Sequence, residues 1–129
     1  MFTIEQIKEA HSKVKTGADF PNYIQDLIIL GVKGYDTNVK DGTVEYYGVN
    51  NYRVATTDKY DEIKVTSAVN KELFLEYLLQ HQDGQTDYMT FCSQAGQCGI
   101  AKWRVDIVEM NCTYYDKSGN EIVIEKISE

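Results

Sequence analysis

The cysteines and histidines are the residues of this sequence best suited to nucleophilic, redox or metal chemistry. Cys92 and Cys98 are six positions apart and Cys112 is isolated, so the sequence has no Cys-x-x-Cys pair. His11 and His81 have no Ser, Cys or carboxylate at a spacing typical of a catalytic or metal-binding motif. We therefore expect no metal site and no cofactor. Enzymatic activity stays an open question, with a non-catalytic role favoured.

Two Tyr-Tyr pairs point to the elements that position these side chains. They occupy positions 46/47 and 114/115, a separation of 68 positions. A shift of the chain by 68 positions without gaps also aligns Gly31 with Gly99, and apolar residues keep meeting apolar ones. A match of this length predicts two copies of one supersecondary unit in a single core. Chance matching is the alternative.

Each copy has the pattern of two helices followed by three strands. Apolar residues at three- and four-residue spacing predict the first helices, and Asn70 is a plausible N-cap for one of them. Glycines after the last apolar residues, Gly31 and Gly99, predict where the second helices end. Alternation at period two predicts the strands. The first helices are predicted near 3–15 and 71–82, and the strands near 35–39, 43–48, 52–56, 103–107, 111–116 and 121–127.

The predicted fold class is α+β, a tandem duplication of a helix-helix-β-β-β unit with four helices packed on antiparallel sheet. One domain covers 1–129, with the first copy at about 1–61 and the second at about 69–129. The connection between the copies carries Ile-Lys-Val at 63–65, which could add a short strand.

The repeat gives an internal control on the chemistry-bearing residues. The three cysteines align with Ile24, Leu30 and Val44 of the other copy, so core packing is the simpler interpretation of each thiol. His11 aligns with Leu79, which favours a histidine at the boundary of the core over a general base. His81 aligns with a lysine and should be exposed.

Strand alternation divides each Tyr pair between the two faces of the sheet. Tyr46 and Tyr114 should face the core, and Tyr47 and Tyr115 should face away from it. Tyrosines beside mixed polar groups suit a binding surface, although helices could equally cover this face. Trp103 is more simply a core anchor than a ligand platform. The candidate binding residues are Tyr47, Tyr115, Arg104 and Asp106.

Composition and charge argue against several classes of partner. The 129 residues carry a formal net charge of -7 at pH 7, and the basic residues are scattered singly, so we expect no direct nucleic-acid binding. The longest apolar run is too short to cross a bilayer, and no signal peptide is recognisable at the N-terminus. We expect no membrane contact and a cytoplasmic location, where the odd number of cysteines fits reduced thiols.

Most of the chain resembles a known family. The stretch "DGQTDYMTFCSQAGQCGIAKWRVDIVEMNCTYYDKSGNEI", from Asp83 to Ile122, is similar to the YbcV-like family of uncharacterised bacterial proteins, domain of unknown function 1398. In the N-terminal half "DFPNYIQDLIILGV" and the "YYG" and "NNY" triplets carry the same resemblance. Members are often labelled phage envelope proteins or prophage-associated. The resemblance implies a bacterial setting and brings no catalytic residues.

Three functions remain open from the sequence. The first is a non-catalytic binding or interaction module, whose small-molecule ligand or protein partner meets the sheet face or the cleft between the copies. The second is a small enzyme with a site at the repeat interface. The third is an acidic prophage-derived regulator of a host protein. The oligomeric state stays open. The enzyme would draw on Trp103, Arg104, Asp106, Tyr115 or Cys98.

Overall fold

The computed structural model describes residues 2–15, 19–57 and 60–127. Over these residues the chain forms two α-helices and three strands and then repeats that order, which confirms the α+β class. None of these helices is long and apolar enough to cross a membrane. The α-helices are α1 (Ile4–His11), α2 (Phe20–Leu30), α3 (Lys71–Gln82) and α4 (Tyr88–Gln97). The strands are β1 (Gly34–Asn38), β2 (Val44–Tyr47), β3 (Arg53–Ala55), β4 (Lys102–Asp106), β5 (Asn111–Tyr115) and β6 (Glu121–Lys126).

Side-chain caps fix where α1, α3 and α4 begin. Thr3 and Gln6 form a reciprocal capping box at the start of α1, with bonds of 2.9 and 3.2 Å. The predicted cap Asn70 is confirmed, since its Oδ1 accepts the N–H of Leu73 at 3.1 Å. Asp87 accepts the N–H of Thr90 at 2.7 Å in the same way.

Helix α1 is shorter than the sequence pattern predicts. It ends at His11 instead of continuing to position 15, and Ser12 is its C-cap. After Ser12 the backbone tightens into a turn, in which the N–H groups of Lys13 and Val14 donate to the carbonyls of Ala10 and His11 at 3.3 and 2.9 Å. The prediction was wrong here because Val14 continues the apolar spacing after the backbone has left the helix.

The two predicted glycine stops are confirmed. Gly31 follows α2 with φ of 92°, and Gly99 follows α4 with φ of 85°. Both values lie in the left-handed region that glycine enters without a steric penalty. Each stop turns the chain from its helix into the strand that lies at the centre of the sheet.

The six strands form one antiparallel sheet in the order β3-β2-β1-β4-β5-β6. Strands β1 and β4 join the two halves at its centre, where Asp36 is the direct partner of Arg104. These two positions are also the ones that the 68-position shift equates. Equivalent residues opposite each other in an antiparallel pair are what a two-fold arrangement of two copies requires. This supports the duplication, which stays a prediction.

Both helix pairs pack on the same face of the sheet. The Tyr23 ring of α2 lies 6.3 Å from the Tyr35 ring of β1, and the Phe74 ring of α3 lies 5.0 Å from the Tyr114 ring of β5. The core lies between these layers and includes all three cysteines, which are buried as predicted. We call the other side of the sheet the open face, because none of the described helices covers it.

The connection between the halves contains no strand at 63–65, so that prediction was wrong. Its backbone forms hydrogen bonds with groups outside the β-sheet instead. The N–H of Ile63 donates to the carbonyl of Lys40 at 2.8 Å, and the N–H of Thr66 donates to the carbonyl of Gly96 at 3.1 Å. Because the partners are a turn and a helix end, the segment runs as a strap across the molecule.

Candidate ligand-binding cleft

The two helix pairs and the sheet enclose a cavity of about 410 Å³. Its lining includes residues from all four α-helices and from five of the six strands, all except β3. Its volume lies within the range of roughly 300–1,000 Å³ that is usual for small-molecule sites. We call it the aromatic cleft and define it by six of its lining residues: Tyr23, Tyr35, Tyr46, Tyr88, Trp103 and Tyr114.

The floor of the aromatic cleft comes from the central strands. Period-two alternation puts Tyr35 of β1 and Trp103 of β4 on the helix-covered face, where each lies beside a ring of the neighbouring hairpin strand. The Tyr35 and Tyr46 ring centroids are 5.2 Å apart, and those of Trp103 and Tyr114 are 5.9 Å apart. The Trp103 assignment as a core anchor is therefore incomplete, since this buried ring also lines the cavity.

The tyrosine hydroxyls give the cleft its internal polar groups. The hydroxyls of Tyr23 and Tyr46 are hydrogen-bonded to each other at 3.1 Å in a buried position. Burial raises the pKa of both groups, and it also raises the pKa of Tyr35 and Tyr88 well above the ordinary value. These phenols therefore stay neutral at physiological pH and can act as hydrogen-bond donors and acceptors.

His11 lies where the two halves meet. Its ring makes edge contacts with Tyr23 of α2 at 5.3 Å and with Tyr88 of α4 at 6.2 Å between centroids. It is half-buried, as the boundary prediction requires, and it lines the cleft. An imidazole in this place packs against rings from both helix pairs.

His81 is half-buried and lines the cleft, so the prediction that it is exposed was wrong. Its ring stacks on Phe91 at 4.5 Å with an interplanar angle of 8°. Burial lowers the pKa of His81, although its contact with the Thr86 carbonyl opposes this shift. The alignment with Lys13 misled because position 13 lies beyond the end of α1, whereas His81 still lies within α3.

A carboxylate also lines the cleft, and the sequence argument missed it. Glu125 accepts a hydrogen bond from the Tyr114 hydroxyl at 3.0 Å, and Gln82 Nε2 bonds to its two oxygens at 3.1 and 2.9 Å. The signal was present in β6, where alternation puts Glu125 on the same face as the buried Val123 and Ile127. A charged residue on the core face of a strand marks a polar site.

The four predicted binding residues lie on the open face. Arg104 and Asp36 form a two-pronged ion pair across β1 and β4, with N–O distances of 2.7 and 2.9 Å. Tyr47 and Tyr115 are half-buried, so neither meets the full burial that would exclude a surface role. Asp106 Oδ1 accepts the N–H of Glu109 at 3.0 Å and so closes the turn after β4.

The open-face tyrosines are engaged by cations of the same chain. The Arg53 guanidinium lies 5.5 Å from the centre of the Tyr47 ring, and Lys102 Nζ lies 5.3 Å from that of Tyr115. Gly34 lies so close beneath Tyr47 that an added Cβ would come within 2.7 Å of its hydroxyl oxygen. These contacts give the tyrosines a structural role on this face.

A model of the family described as protein of unknown function (DUF1398) matches residues 8–126. This chain belongs to that family. Among curated proteins, no match to the chain is found. The aromatic cleft and the open face are therefore features of a DUF1398 protein, and a proposal for its function has to come from the chemistry of these two surfaces.

The residues suggested for an enzyme site are not brought together in this family member. Trp103 lines the cleft, whereas Arg104, Asp106 and Tyr115 lie on the opposite face of the same sheet. Cys98 is buried after the end of α4, where burial raises its pKa. The sheet therefore separates the predicted set, and no single site contains all five side chains.

Proposed function

We propose that this protein is a binding module that takes a small organic molecule into the aromatic cleft. The observation that carries this proposal is a cavity of about 410 Å³ whose lining includes five tyrosines and Trp103. Pockets for small molecules combine a mainly apolar lining with a few placed polar groups. Here the rings supply the apolar area, and the phenol hydroxyls and Glu125 supply the polar groups.

The state of the cleft thiol favours binding over covalent catalysis. Cys112 lines the cavity, and burial raises its pKa to about 12. Only a thiolate is an effective nucleophile, so at neutral pH this group stays protonated and unreactive.

Trp103 provides a direct test because it is the only tryptophan of the chain and it lines the cleft. A ligand that enters should change its fluorescence, and at one hundred times its dissociation constant it should add about 2.7 kcal/mol to the free energy of unfolding. We suggest screening nucleotides, sugars, cofactors and aromatic metabolites by fluorescence and by thermal shift together.

Matched variants then locate the site. Val14→Phe enlarges a half-buried side chain at the cleft and should weaken a cleft ligand. Tyr47→Ala and Tyr115→Ala change the open face and should leave that ligand unaffected. Loss of binding in the tyrosine variants alone would move the site to the open face. A screen without hits would favour a macromolecular partner.

A small enzyme is the second candidate, because two imidazoles line the same cavity. His81 is kept neutral by its lowered pKa, which leaves it able to accept a proton at physiological pH. The test is turnover of any ligand that the screen finds, compared between the unmodified protein and the His11→Gln and His81→Gln variants. Unchanged ligand after prolonged incubation with the unmodified protein would exclude catalysis for that compound.

A further inference from the structure

We propose that the ligand of the aromatic cleft is an organic cation, a molecule whose substituted ammonium group is held by aromatic faces and by the Glu125 carboxylate. This inference rests on the proposed function, since it names the chemical class that the cleft would bind. It is carried by the arrangement of the rings, by the position of the one carboxylate among the described cleft residues, and by the placement of the neighbouring lysines.

The rings that line the cleft are inclined to one another. Trp103 is 86° from the plane of Tyr88 and 52° from that of Tyr114, while Tyr35 and Tyr46 meet at 43°. All of these rings line the cavity, and their different inclinations allow more than one of them to turn a face toward a ligand there. Each face carries partial negative charge, and a cation within about 6 Å of a ring centre is attracted to it. An aromatic surface of this kind recognises alkylated ammonium groups well.

Glu125 adds a full negative charge to this surface. The Tyr114 hydroxyl and Gln82 Nε2 hold its two oxygens in place, and a carboxylate has room for further donors or a nearby cation. Its charge is felt inside the cleft: after burial, it contributes to the raised pKa of both Tyr114 and Cys112. A cationic ligand would find this charge already positioned.

The basic residues near the cleft do not cancel that charge within it. Lys126 is also among the residues that line the cavity, but it is exposed, and because it follows Glu125 directly on β6, strand alternation directs its side chain away from the face on which Glu125 lies. Lys15 lines the cavity as well, but it is exposed, so its ammonium group can remain in water. His81 is neutral at physiological pH. The net charge of -7 further raises the local concentration of cations around the protein.

Two probes of the same shape, one cationic and one neutral, test the inference because it predicts different affinities for them. We suggest (3-hydroxyphenyl)trimethylammonium and 3-tert-butylphenol, which differ in a charged nitrogen against a neutral carbon, together with the anion 3-hydroxybenzoate. Binding is followed by Trp103 fluorescence and by calorimetry. We expect the cation to bind about tenfold more tightly than its neutral counterpart, with the anion weakest.

The Glu125→Gln variant isolates the carboxylate, and Glu121→Gln is its control. Both lie on β6 and change the net charge equally, but Glu121 is exposed and is not among the cleft residues. We expect Glu125→Gln to weaken the cation about tenfold and to leave 3-tert-butylphenol unchanged, while Glu121→Gln affects neither.

The outcomes separate this inference from the proposed function. Equal or tighter binding of 3-tert-butylphenol would leave the cleft as a small-molecule site and overturn the cation assignment. Tightest binding of 3-hydroxybenzoate would overturn it in favour of a role for Lys15 or Lys126. If no probe binds, the cation assignment falls, and the wider ligand screen then decides whether the binding function falls with it.

Discussion

At the scale of single residues, the hydroxyl pair of Tyr23 and Tyr46 is the clearest energetic link across the cleft wall. The two groups satisfy each other at 3.1 Å in a buried position. Removing one hydroxyl leaves the other without that partner, which costs the desolvation of a buried polar group, about 1–3 kcal/mol. Removing both avoids that penalty.

The pair can be tested by a double-mutant cycle. Tyr23→Phe and Tyr46→Phe should each lower the free energy of unfolding by about 1–3 kcal/mol, and the double variant should lose clearly less than the sum. Urea unfolding measures all four proteins. Tyr115→Phe on the open face is the control and should change stability by no more than about 0.5 kcal/mol. Additive losses would show that the two hydroxyls do not stabilise each other.

His81 makes a prediction about pH. Its folded-state pKa is lowered by burial, while in the unfolded chain it takes up a proton near the ordinary value of about 6.5. The unfolded state therefore binds more protons over this window, so stability should fall as pH decreases from about 7 through 6.5 and level off below the folded-state pKa. NMR titration of the imidazole should give a midpoint below 6.5.

The carboxylates act in a separate window. The pKa values of Asp41, Asp87 and Asp116 are lowered by hydrogen bonds that they accept, so their contribution is present above about pH 4 and is lost as pH falls through their folded-state values. A His81→Gln variant should therefore show a smaller change in stability between pH 7 and 5 and keep the change at acidic pH. An unaltered slope between pH 7 and 5 in that variant would contradict the assignment.

At the scale of elements, the two glycine helix stops are a matched pair with different surroundings. Both need a left-handed conformation, but a Cβ at Gly31 would meet open space, whereas a Cβ at Gly99 would lie 2.7 Å from the carbonyl oxygen of Ala68. The segment that connects the halves therefore lies directly beside Gly99 at Ala68, whereas no atom lies close to the Cβ position of Gly31.

This difference predicts the ranking of two variants. Gly31→Ala should cost about 1–2 kcal/mol, the strain of a left-handed non-glycine residue. Gly99→Ala carries that strain and a backbone clash as well, so it should cost at least about 1 kcal/mol more. Urea midpoints compare the two directly. Equal losses would indicate that the strap moves away from Gly99 without cost.

At the scale of the whole molecule, the halves share one sheet through the β1–β4 pair and one core across it. Neither half closes a core alone, because β1 and β4 would become exposed edges and the cleft rings would lose their partners. Separate chains covering 1–61 and 69–129 should therefore be unfolded on their own, as judged by circular dichroism and by narrow dispersion in NMR spectra. A half that is stably folded as a monomer would contradict the conclusion that each half needs the β1–β4 pair and the shared core.

Local chemistry explains how much of the fold could be predicted. Helix α3, the Asn70 cap and the two glycine stops each depend on a few neighbouring residues, and strand alternation correctly divided Tyr46 and Tyr114 from Tyr47 and Tyr115. One error arose because a local sequence pattern extends beyond the element that it predicts: the apolar spacing continues to Val14, although α1 ends at His11.

By itself the sequence determined the element order, the buried cysteines and the face on which each tyrosine of the two Tyr-Tyr pairs lies, because burial patterns and backbone stops act over a few residues. Only the tertiary structure decided that β1 pairs with β4, that both helix pairs share one face, and that a cavity remains between them. Glu125 and Gln82 lie 43 positions apart in the chain and meet at this cavity. Contacts of that separation depend on how the layers pack, which no local pattern encodes.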